Sequence, residues 1–235
     1  MIQTPLVLRI RELDDPAFAH GFSTNAVGSV GLTHAPDPLP VLASRRAFAR
    51  AVGIGDQPLT TAGAVHGSTV ARVDEPKDVV QGVDGLVTNQ RDVALFATFA
   101  DCYPIVLFDP VTRSAGLAHA GWRGTVAGVA KAAVKAMRDE YGSAPENIRA
   151  GIGPGICGRC YEVRADVASQ FDAGFVTPSG DLFLLDLAAA NLAQLEEAGV
   201  SNVHVLGLCT KETDYLPSHR RTPDGTRFGA IVAVR

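Results

Sequence analysis

Three short strings in this chain each place one potential metal ligand at the end of an apolar run. They are Val65-His66-Gly67, Ala100-Asp101-Cys102-Tyr103-Pro104 and Ala118-His119-Ala120-Gly121-Trp122-Arg123-Gly124. Two imidazoles and one thiolate form a three-ligand set for zinc that leaves the fourth position open to water or substrate. Structural zinc sites close all four positions with protein ligands, so His66, Cys102 and His119 together predict the catalytic metal centre of a hydrolase or transferase.

The surroundings of these residues favour that interpretation over a structural one. Taken singly, a buried cysteine is usually a small hydrophobe, and a histidine at a strand end is usually a hydrogen-bonded structural residue. However, a strand-like apolar run over 93–100 stops just before Cys102, and a second run over 114–118 stops at His119. Functional side chains of α/β proteins gather at strand ends. Small residues around His119 also suit close backbone approach to a ligand.

Composition excludes several classes of function. The chain has 235 residues, of which 46% are hydrophobic, so it can bury a sizeable core. A net charge of −4 argues against binding to nucleic acid. No apolar run approaches the roughly 18 residues of a membrane span, and residues 1–10 do not resemble a signal peptide. We therefore expect a cytosolic protein whose thiols stay reduced. We also expect it to be a monomer.

The four cysteines include one C-x-x-C motif. They are Cys102, Cys157, Cys160 and Cys209. The pair Cys157 and Cys160 could be redox-active or could supply half of a four-ligand zinc site. No second C-x-x-C occurs, and the motif follows Gly153-Pro154-Gly155 instead of opening a thioredoxin-like helix. Reduced, solvent-shielded thiols are the simpler interpretation.

Hydrophobic periodicity predicts one α/β domain over 1–235, with layered mixed sheets flanked by helices. Strands are predicted at 5–12, 64–73, 85–88, 93–100, 105–108, 148–152, 203–208 and 228–234. Helices are predicted at 44–52, 124–141 and 188–198. Gly53 and Gly142 are placed to end the first and second of these helices.

Motifs along nearly the whole chain resemble those of the laccase-domain family, also called the multicopper polyphenol oxidase or purine nucleoside phosphorylase family. Besides the three strings above, they are Gly153-Pro154-x-Ile156, Cys160-Tyr161-Glu162-Val163, Asp186-Leu187-x-x-Ala190-Asn191, Cys209-Thr210 and Ser218-x-Arg220-Arg221. The Ala-His-Ala-Gly-Trp-Arg-Gly string is especially specific. The family's metal ligands correspond to His66, Cys102 and His119, the same three residues that the spacing favours.

This resemblance implies a four-layered α/β fold like that of certain Cys-His hydrolases and of the catalytic domain of cytotoxic necrotizing factor. It also implies phosphorolysis of adenosine, inosine and S-methyl-5′-thioadenosine, with adenosine deamination as a further activity. The segment around Ser23 is implied to contact substrate, but Asn25 stands where the family usually has arginine. Thr222 likewise replaces an aspartate after the arginine pair, so substrate preference stays open.

Catalysis of these reactions would need more than the metal. Zinc lowers the pKa of bound water to about 7, which would supply a hydroxide for attack on C6 of adenine. Arg123, just ahead of the predicted helix at 124–141, would form an anion pocket for phosphate with the helix N-terminus, unless it is a surface or ion-paired arginine. Asp101 would orient an imidazole or move a proton, or would simply form the turn. Arg220 is a weaker candidate for substrate binding.

Other functions stay open. Cys102 as nucleophile with His119 as base would make a Cys-His hydrolase, which fits a role in peptidoglycan editing. Two histidines and one cysteine also resemble a blue-copper ligand set, which fits copper-dependent phenol oxidation. A full multicopper oxidase needs many more histidines than the six in this chain. A non-enzymatic binding module is disfavoured by the open metal position. Zinc is therefore the expected metal, with copper as the alternative.

Overall fold

Short strands make up most of the regular structure, which the computed structural model describes for residues 4–33 and 35–235. The strands are β1 (Val7–Leu8), β2 (Phe18–Ser23), β3 (Leu59–Gly63), β4 (Val70–Arg72), β5 (Val79–Gln81), β6 (Gly85–Thr88), β7 (Ala94–Phe99), β8 (Tyr103–Asp109), β9 (Ser114–Ala120), β10 (Arg149–Ile152), β11 (Glu162–Val163), β12 (Val176–Ser179), β13 (Leu182–Leu185), β14 (Asn202–Val205) and β15 (Phe228–Val234). The α-helices are α1 (Pro38–Val52), α2 (Trp122–Val126), α3 (Val129–Tyr141), α4 (Ala165–Ala168) and α5 (Leu187–Glu197). Residues 1–3 of the segment searched for a signal peptide lie outside the described ranges.

Two six-stranded mixed sheets pack face to face between layers of helices. The strand orders are β1-β2-β15-β7-β3-β5 and β14-β10-β8-β9-β6-β4, and a third sheet has the order β11-β13-β12. Phe99, Phe108 and Phe228 belong to the buried cluster between the large sheets. Helix α1 covers the first sheet through Phe48, while α3 and α5 cover the second. The four-layered α/β architecture with mixed sheets is therefore confirmed.

The central strands are buried on both faces, which explains why they could be read from apolar runs. Every residue of β8, β9 and β15 is buried, as expected for strands covered by a helix layer on one side and a sheet on the other. Each large side chain enclosed in this way contributes about 1.5–3 kcal/mol to folding. Within residues 4–33 and 35–235, each helix falls short of the length and hydrophobicity that spanning a bilayer demands.

Two predicted helices have different bounds in the structure. Helix α1 begins at Pro38 instead of Ser44, because the Asp37 carboxylate caps it by accepting from the N–H of Leu39. The helix predicted over 124–141 is divided into α2 and α3 by Gly128, whose φ of 79° breaks the helical hydrogen bonding. The predicted end at Gly142, in the left-handed conformation, is confirmed.

Three predicted strands were too long, and one of them, predicted at 203–208, ends at Val205 as β14. In 64–73 only β4 is extended, because β3 lies in the first sheet and β4 in the second, so residues 64–69 form the crossing between them. In 5–12 only β1 pairs as a strand, since the N–H of Ile10 donates to the side chain of His20 in β2 instead of to a backbone carbonyl of that strand. A fully buried strand, β2, was not predicted.

Candidate functional site

His66, Cys102 and His119 meet where the two large sheets exchange chain segments. His66 lies in the crossing from β3 to β4, Cys102 lies in the turn from β7 to β8, and His119 lies near the end of β9. One ligand atom from each side chain lies within 4.8 Å of the other two. Because β7 belongs to one sheet and β8 to the other, this turn brings all three segments to one edge of the sandwich.

The backbone around this cluster is strained in a way typical of functional sites. His66 and Asp101 adopt φ values of 63° and 83°, a region that L-residues rarely occupy. Gly121 completes the cradle: a Cβ there would lie 2.8 Å from the Cys102 Sγ and 3.3 Å from the His66 ring. A side chain at position 121 would therefore occupy the space between the ligands.

The His119 ring is poised to bind a cation. It is buried, stacks on Phe99 at 4.7 Å and meets the edge of His66 at 5.3 Å. Among the described residues, neither of its ring nitrogens has a hydrogen-bond partner. Burial, assisted by His66 and Arg227, lowers the pKa of His119 to about 3, so the ring is neutral and keeps a free lone pair. Such an orphaned buried nitrogen is costly unless a ligand satisfies it.

The Cys102 thiol complements this arrangement. Burial, with the nearby charge of Asp101, raises its pKa to about 12, so the sulfur stays protonated without a cation beside it. A metal ion reverses that preference, because a coordinated thiol is deprotonated. One thiolate and two neutral imidazoles suit zinc, and the donor set fits it.

Asp84, which the sequence analysis did not single out, organises the centre from behind. Its carboxylate is fully buried and accepts hydrogen bonds from the N–H groups of Val65, His66 and Gly67 at 2.7–3.1 Å. Its carbonyl accepts from the N–H of His119 at 2.7 Å. One residue thus fixes the backbone of two of the three candidate metal ligands. The sequence did contain an indication of this role, because a carboxylate directly before a buried strand is unusual unless it has partners there.

A cavity of about 650 Å³ opens in front of the cluster. Three arginines reach it: Arg45, Arg220 and Arg227. Asp101 is the one carboxylate among its described lining residues, and the Thr210 hydroxyl and the Arg220 N–H donate to it at 2.6 and 2.7 Å. The lining is therefore electropositive and suits an anionic ligand.

Two of these arginines are held by the loop that follows β2. Val30 accepts from the Arg45 side chain through its carbonyl at 2.9 Å and donates its N–H to the Arg227 carbonyl at 3.1 Å. Gly31 leaves room for Arg227, since a Cβ there would lie 2.7 Å from the arginine Cγ. Burial lowers the pKa of Arg45 to about 10, a value at which the side chain is still charged at neutral pH. No sequence motif pointed to either arginine.

The structure brings together some of the predicted site residues and separates others. Asp101, Arg220 and the three metal-ligand candidates line the cavity. Arg123 does not: it is exposed and lies over the Trp122 ring at 4.3 Å. Helix α2, on which Arg123 sits, is only five residues long, so the long helix whose N-terminus was to help bind phosphate does not begin there.

Ser23 and the two departures from the family pattern lie away from the cavity lining. The side chain of Ser23 is fully buried, and its hydroxyl accepts from the N–H of Gly229 at 2.8 Å. Asn25 donates to the carbonyl of Asp214, and the N–H of Thr222 donates to Ser218. In this structure these residues stabilise loops and strand packing.

We expect Ser23→Ala to lower the free energy of unfolding by about 1–3 kcal/mol, because it leaves the buried N–H of Gly229 without an acceptor. Substrate KM values should not change. Denaturant unfolding and steady-state kinetics check both expectations, and Ser169→Ala, at an exposed helix end, is the matched control. A raised KM with unchanged stability would instead favour the substrate contact implied by the family resemblance.

Comparisons with known proteins find similarity over most of this chain. A family model described as multi-copper polyphenol oxidoreductase laccase matches residues 19–235. A Deinococcus radiodurans protein named purine nucleoside phosphorylase is 38% identical over 230 residues, which cover 93% of this chain and 90% of that protein. A Streptomyces coelicolor protein of the same name is 41% identical over 214 residues, covering 88% and 86%.

Two further proteins extend the comparison. A protein named adenosine deaminase, from an unknown prokaryotic organism, is 34% identical over 187 residues, covering 72% of this chain and 71% of that protein. The crystal structure of the Bacillus licheniformis hypothetical protein YfiH superposes with a TM-score of 0.91 at 27% identity, covering 100% of this chain and 98% of the other. The similarity thus extends over both large sheets.

Proposed function

This chain belongs to the multi-copper polyphenol oxidoreductase laccase family, and we propose that it is a zinc-dependent purine nucleoside phosphorylase with adenosine deaminase activity. The substrates proposed are adenosine, inosine and S-methyl-5′-thioadenosine. One observation carries the proposal: a three-ligand centre lies at the wall of an electropositive cavity large enough for a nucleoside and phosphate. Relatives named for both activities support it.

The metal would be held by His66, Cys102 and His119. When bound, zinc supplies a Lewis acid with an open coordination position. The chain's own contribution is to keep the His119 imidazole neutral and to fix the backbones of His66 and His119 through Asp84. Cys102 and His119 therefore serve catalysis as ligands.

We assign phosphate binding to Arg227 and Arg45. Both residues line the cavity, and the Val30 segment restrains both. Arginine's fork of N–H donors matches phosphate oxygens in pairs. In phosphorolysis a phosphate oxygen forms a bond to C1′ of the ribose, and the bond from C1′ to the purine nitrogen breaks. The purine keeps that electron pair and takes up a proton.

Tyr161 and Arg220, which also line the cavity, offer a place for the purine base. Burial raises the pKa of Tyr161 to about 12, so its ring stays a neutral aromatic surface. The Arg220 guanidinium lies 5.1 Å over this ring and donates to the Glu162 carbonyl. We propose that the purine lies against these two side chains. Asp101, the one described carboxylate of the lining, is then placed to transfer protons to or from the purine.

A Cys-His hydrolase is less well supported by the same geometry. Such enzymes need a thiolate beside an imidazolium. Here burial raises the pKa of Cys102 to about 12 and lowers that of His119 to about 3, which opposes both charged forms. Copper in place of zinc would retain the ligands and change the reaction, so elemental analysis of the purified protein separates these two proposals.

Product analysis tests the proposed activity. We expect adenine to be released from adenosine only when phosphate is supplied, with ribose 1-phosphate as co-product. Inosine formation should proceed without phosphate, because its nucleophile is water. Chromatography of reactions with and without phosphate resolves all the products. Adenine appearing equally fast without phosphate would identify a hydrolase instead.

The assignment of phosphate to Arg227 predicts a selective defect. We expect Arg227→Ala to raise the phosphate KM or depress phosphorolysis by about ten- to a hundred-fold, since a charge-assisted contact contributes roughly 1.5–3 kcal/mol. Deamination should change much less. Arg227→Lys should recover part of the loss, because lysine keeps the charge without the fork.

Arg123→Ala is the matched control for this prediction, since Arg123 is an exposed arginine outside the cavity lining. We expect its phosphate KM to stay near that of the wild type. A raised phosphate KM in Arg123→Ala alone would instead indicate that phosphate binds at Arg123, as the sequence motif predicted. Loss of zinc from Arg227→Ala would mean that this residue supports the metal centre.

A further inference from the structure

A second group of potential metal ligands lies outside the cavity. Cys157, Cys160, Cys209 and Glu212 each place one ligand atom within 4.8 Å of the others. They come from two loops, one after β10 and one after β14, which are adjacent parallel strands of the second sheet. None of the four lines the cavity described above.

The two loops have the same spacing of ligands. Cys157 and Cys160 form a C-x-x-C, and Cys209 and Glu212 form a C-x-x-E. The first motif closes a turn in which the N–H groups of Cys160 and Tyr161 donate to the Cys157 carbonyl at 2.9 and 3.0 Å. In the second, the N–H of Thr213 donates to the Cys209 carbonyl at 2.9 Å. The missing second half of the four-ligand set therefore ends in a carboxylate instead of a thiol.

Backbone contacts join the two loops before any ligand does. Gly155 donates to the Leu208 carbonyl at 3.2 Å and accepts from the N–H of Thr210 at 3.0 Å. The N–H of Cys157 also donates to the Cys209 sulfur at 3.3 Å. A hydrogen bond of this kind stabilises a thiolate, as outer-shell donors do around bound metals.

The side chains already converge on one point. The Cys160 thiol lies 3.3 Å from Oε1 of Glu212, and the Cys157 thiol lies 3.9 Å from Oε2. Arg159 pairs with the same carboxylate through its Nε at 2.7 Å, and this hydrogen bond lowers the pKa of Glu212. The carboxylate thus lies beside three thiols, and the Arg159 guanidinium offsets part of the negative charge that three thiolates would bring.

We propose that Cys157, Cys160, Cys209 and Glu212 bind a structural zinc ion. Four protein ligands would close the coordination sphere, which distinguishes this centre from the open one in the cavity. In a tetrahedral site with Zn–S bonds of about 2.3 Å the ligand atoms lie about 3.8 Å apart, so the cluster needs to contract by no more than about 1 Å. Binding exchanges the thiol protons for the divalent cation and involves no change in oxidation state.

This second zinc would brace Asp101. The N–H of Ile156, next to Cys157, donates to the Asp101 carbonyl at 2.9 Å. The hydroxyl of Thr210, next to Cys209, donates to the Asp101 carboxylate at 2.6 Å. Each loop therefore holds one end of the strained residue that precedes Cys102.

Zinc content of the purified chain tests the proposal without reference to catalysis. We expect about two zinc ions per wild-type chain and about one each in Cys160→Ser and Cys102→Ser. Lys211→Ala, a non-ligand change within the C-x-x-E loop, should keep two. Equal zinc in wild type and Cys160→Ser would overturn the proposal. So would a disulfide between two of these cysteines, detected by mass, in a chain purified aerobically with a single zinc.

A second measurement avoids dependence on the folding of Cys160→Ser. In Cys102→Ser only the second centre retains all its ligands, so stripping its zinc with a chelator should lower Tm and re-adding zinc should restore it. Cobalt in this variant should give the intense near-ultraviolet absorption of thiolate coordination. An unchanged Tm and no such absorption would contradict the site, whatever nucleoside activity the wild type shows.

Discussion

Asp84→Ala is expected to lower the free energy of unfolding of the metal-free chain by about 3–5 kcal/mol, because three N–H groups lose their acceptor. The same change should weaken zinc binding by His66, Cys102 and His119 by about 10–100-fold, as is typical when a residue that hydrogen-bonds to metal ligands is replaced. The carboxylate is fully buried and bonds the backbone of Val65, His66 and Gly67. Denaturant unfolding and chelator competition measure the two effects.

A matched control for this change is Asp92→Ala. Asp92 is an exposed aspartate in the turn before β7, so its removal should alter stability by no more than about 0.5 kcal/mol. Asp84→Asn should fall between the two, because its amide keeps one acceptor and turns a donor toward the remaining N–H groups. Wild-type stability and zinc affinity in Asp84→Ala would show that the loop carrying His66 is positioned by something else.

Cys102→Ser should abolish tight zinc binding in the cavity and with it both nucleoside activities. An alcohol is a poor zinc ligand at neutral pH, so we expect affinity to fall by more than the roughly 100-fold seen for changes behind the ligands. Cys157→Ser should leave this centre loaded and lose only the zinc of the second cluster. Retained phosphorolysis in metal-free Cys102→Ser would contradict the metal's role.

The pH dependence of zinc uptake follows from the same thiol. Burial raises the Cys102 pKa to about 12, so the metal-free chain carries this proton throughout the neutral range and zinc binding must release it. Affinity at the cavity centre should therefore rise about tenfold per pH unit near neutrality. A potentiometric record of proton release during zinc addition provides the direct check, with Cys102→Ser as the control.

Much of the fold could be predicted because the central strands are covered on both faces. The sequence segments that form β7, β8, β9 and β15 are apolar almost throughout. Their positions can therefore be predicted from where apolar residues are concentrated along the chain. The approach of Cys102 and His119 to each other was also predictable, since each stands near the end of such a run. The sequence pattern did not predict the crossing between the sheets at 64–69. There the buried Asp84 carboxylate accepts hydrogen bonds from backbone N–H groups that would otherwise pair with a neighbouring strand.

The residues that the sequence analysis missed share one property: their partners are remote in the chain. Arg227 is positioned by residues 29–31, and Glu212 meets Cys157 of the C-x-x-C motif across two loops. Arg123 was favoured because it is local to the motif and to a supposed helix N-terminus. Gly128 interrupts that helix, and Gly124 instead lets α2 lie against Gly67, where a Cβ would stand 2.9 Å from the carbonyl oxygen.

We propose that a metal held by His66, Cys102 and His119 supports transfer of a ribosyl group to phosphate. The most direct measurement is the ³¹P spectrum of the zinc-loaded protein incubated with inosine and phosphate, recorded together with the hypoxanthine released. We predict a new sugar-phosphate resonance that grows in equal amount with hypoxanthine and is missing when Cys102→Ser replaces the wild type. Hypoxanthine released while phosphate remains unconsumed, or the same product from metal-free protein, would contradict it.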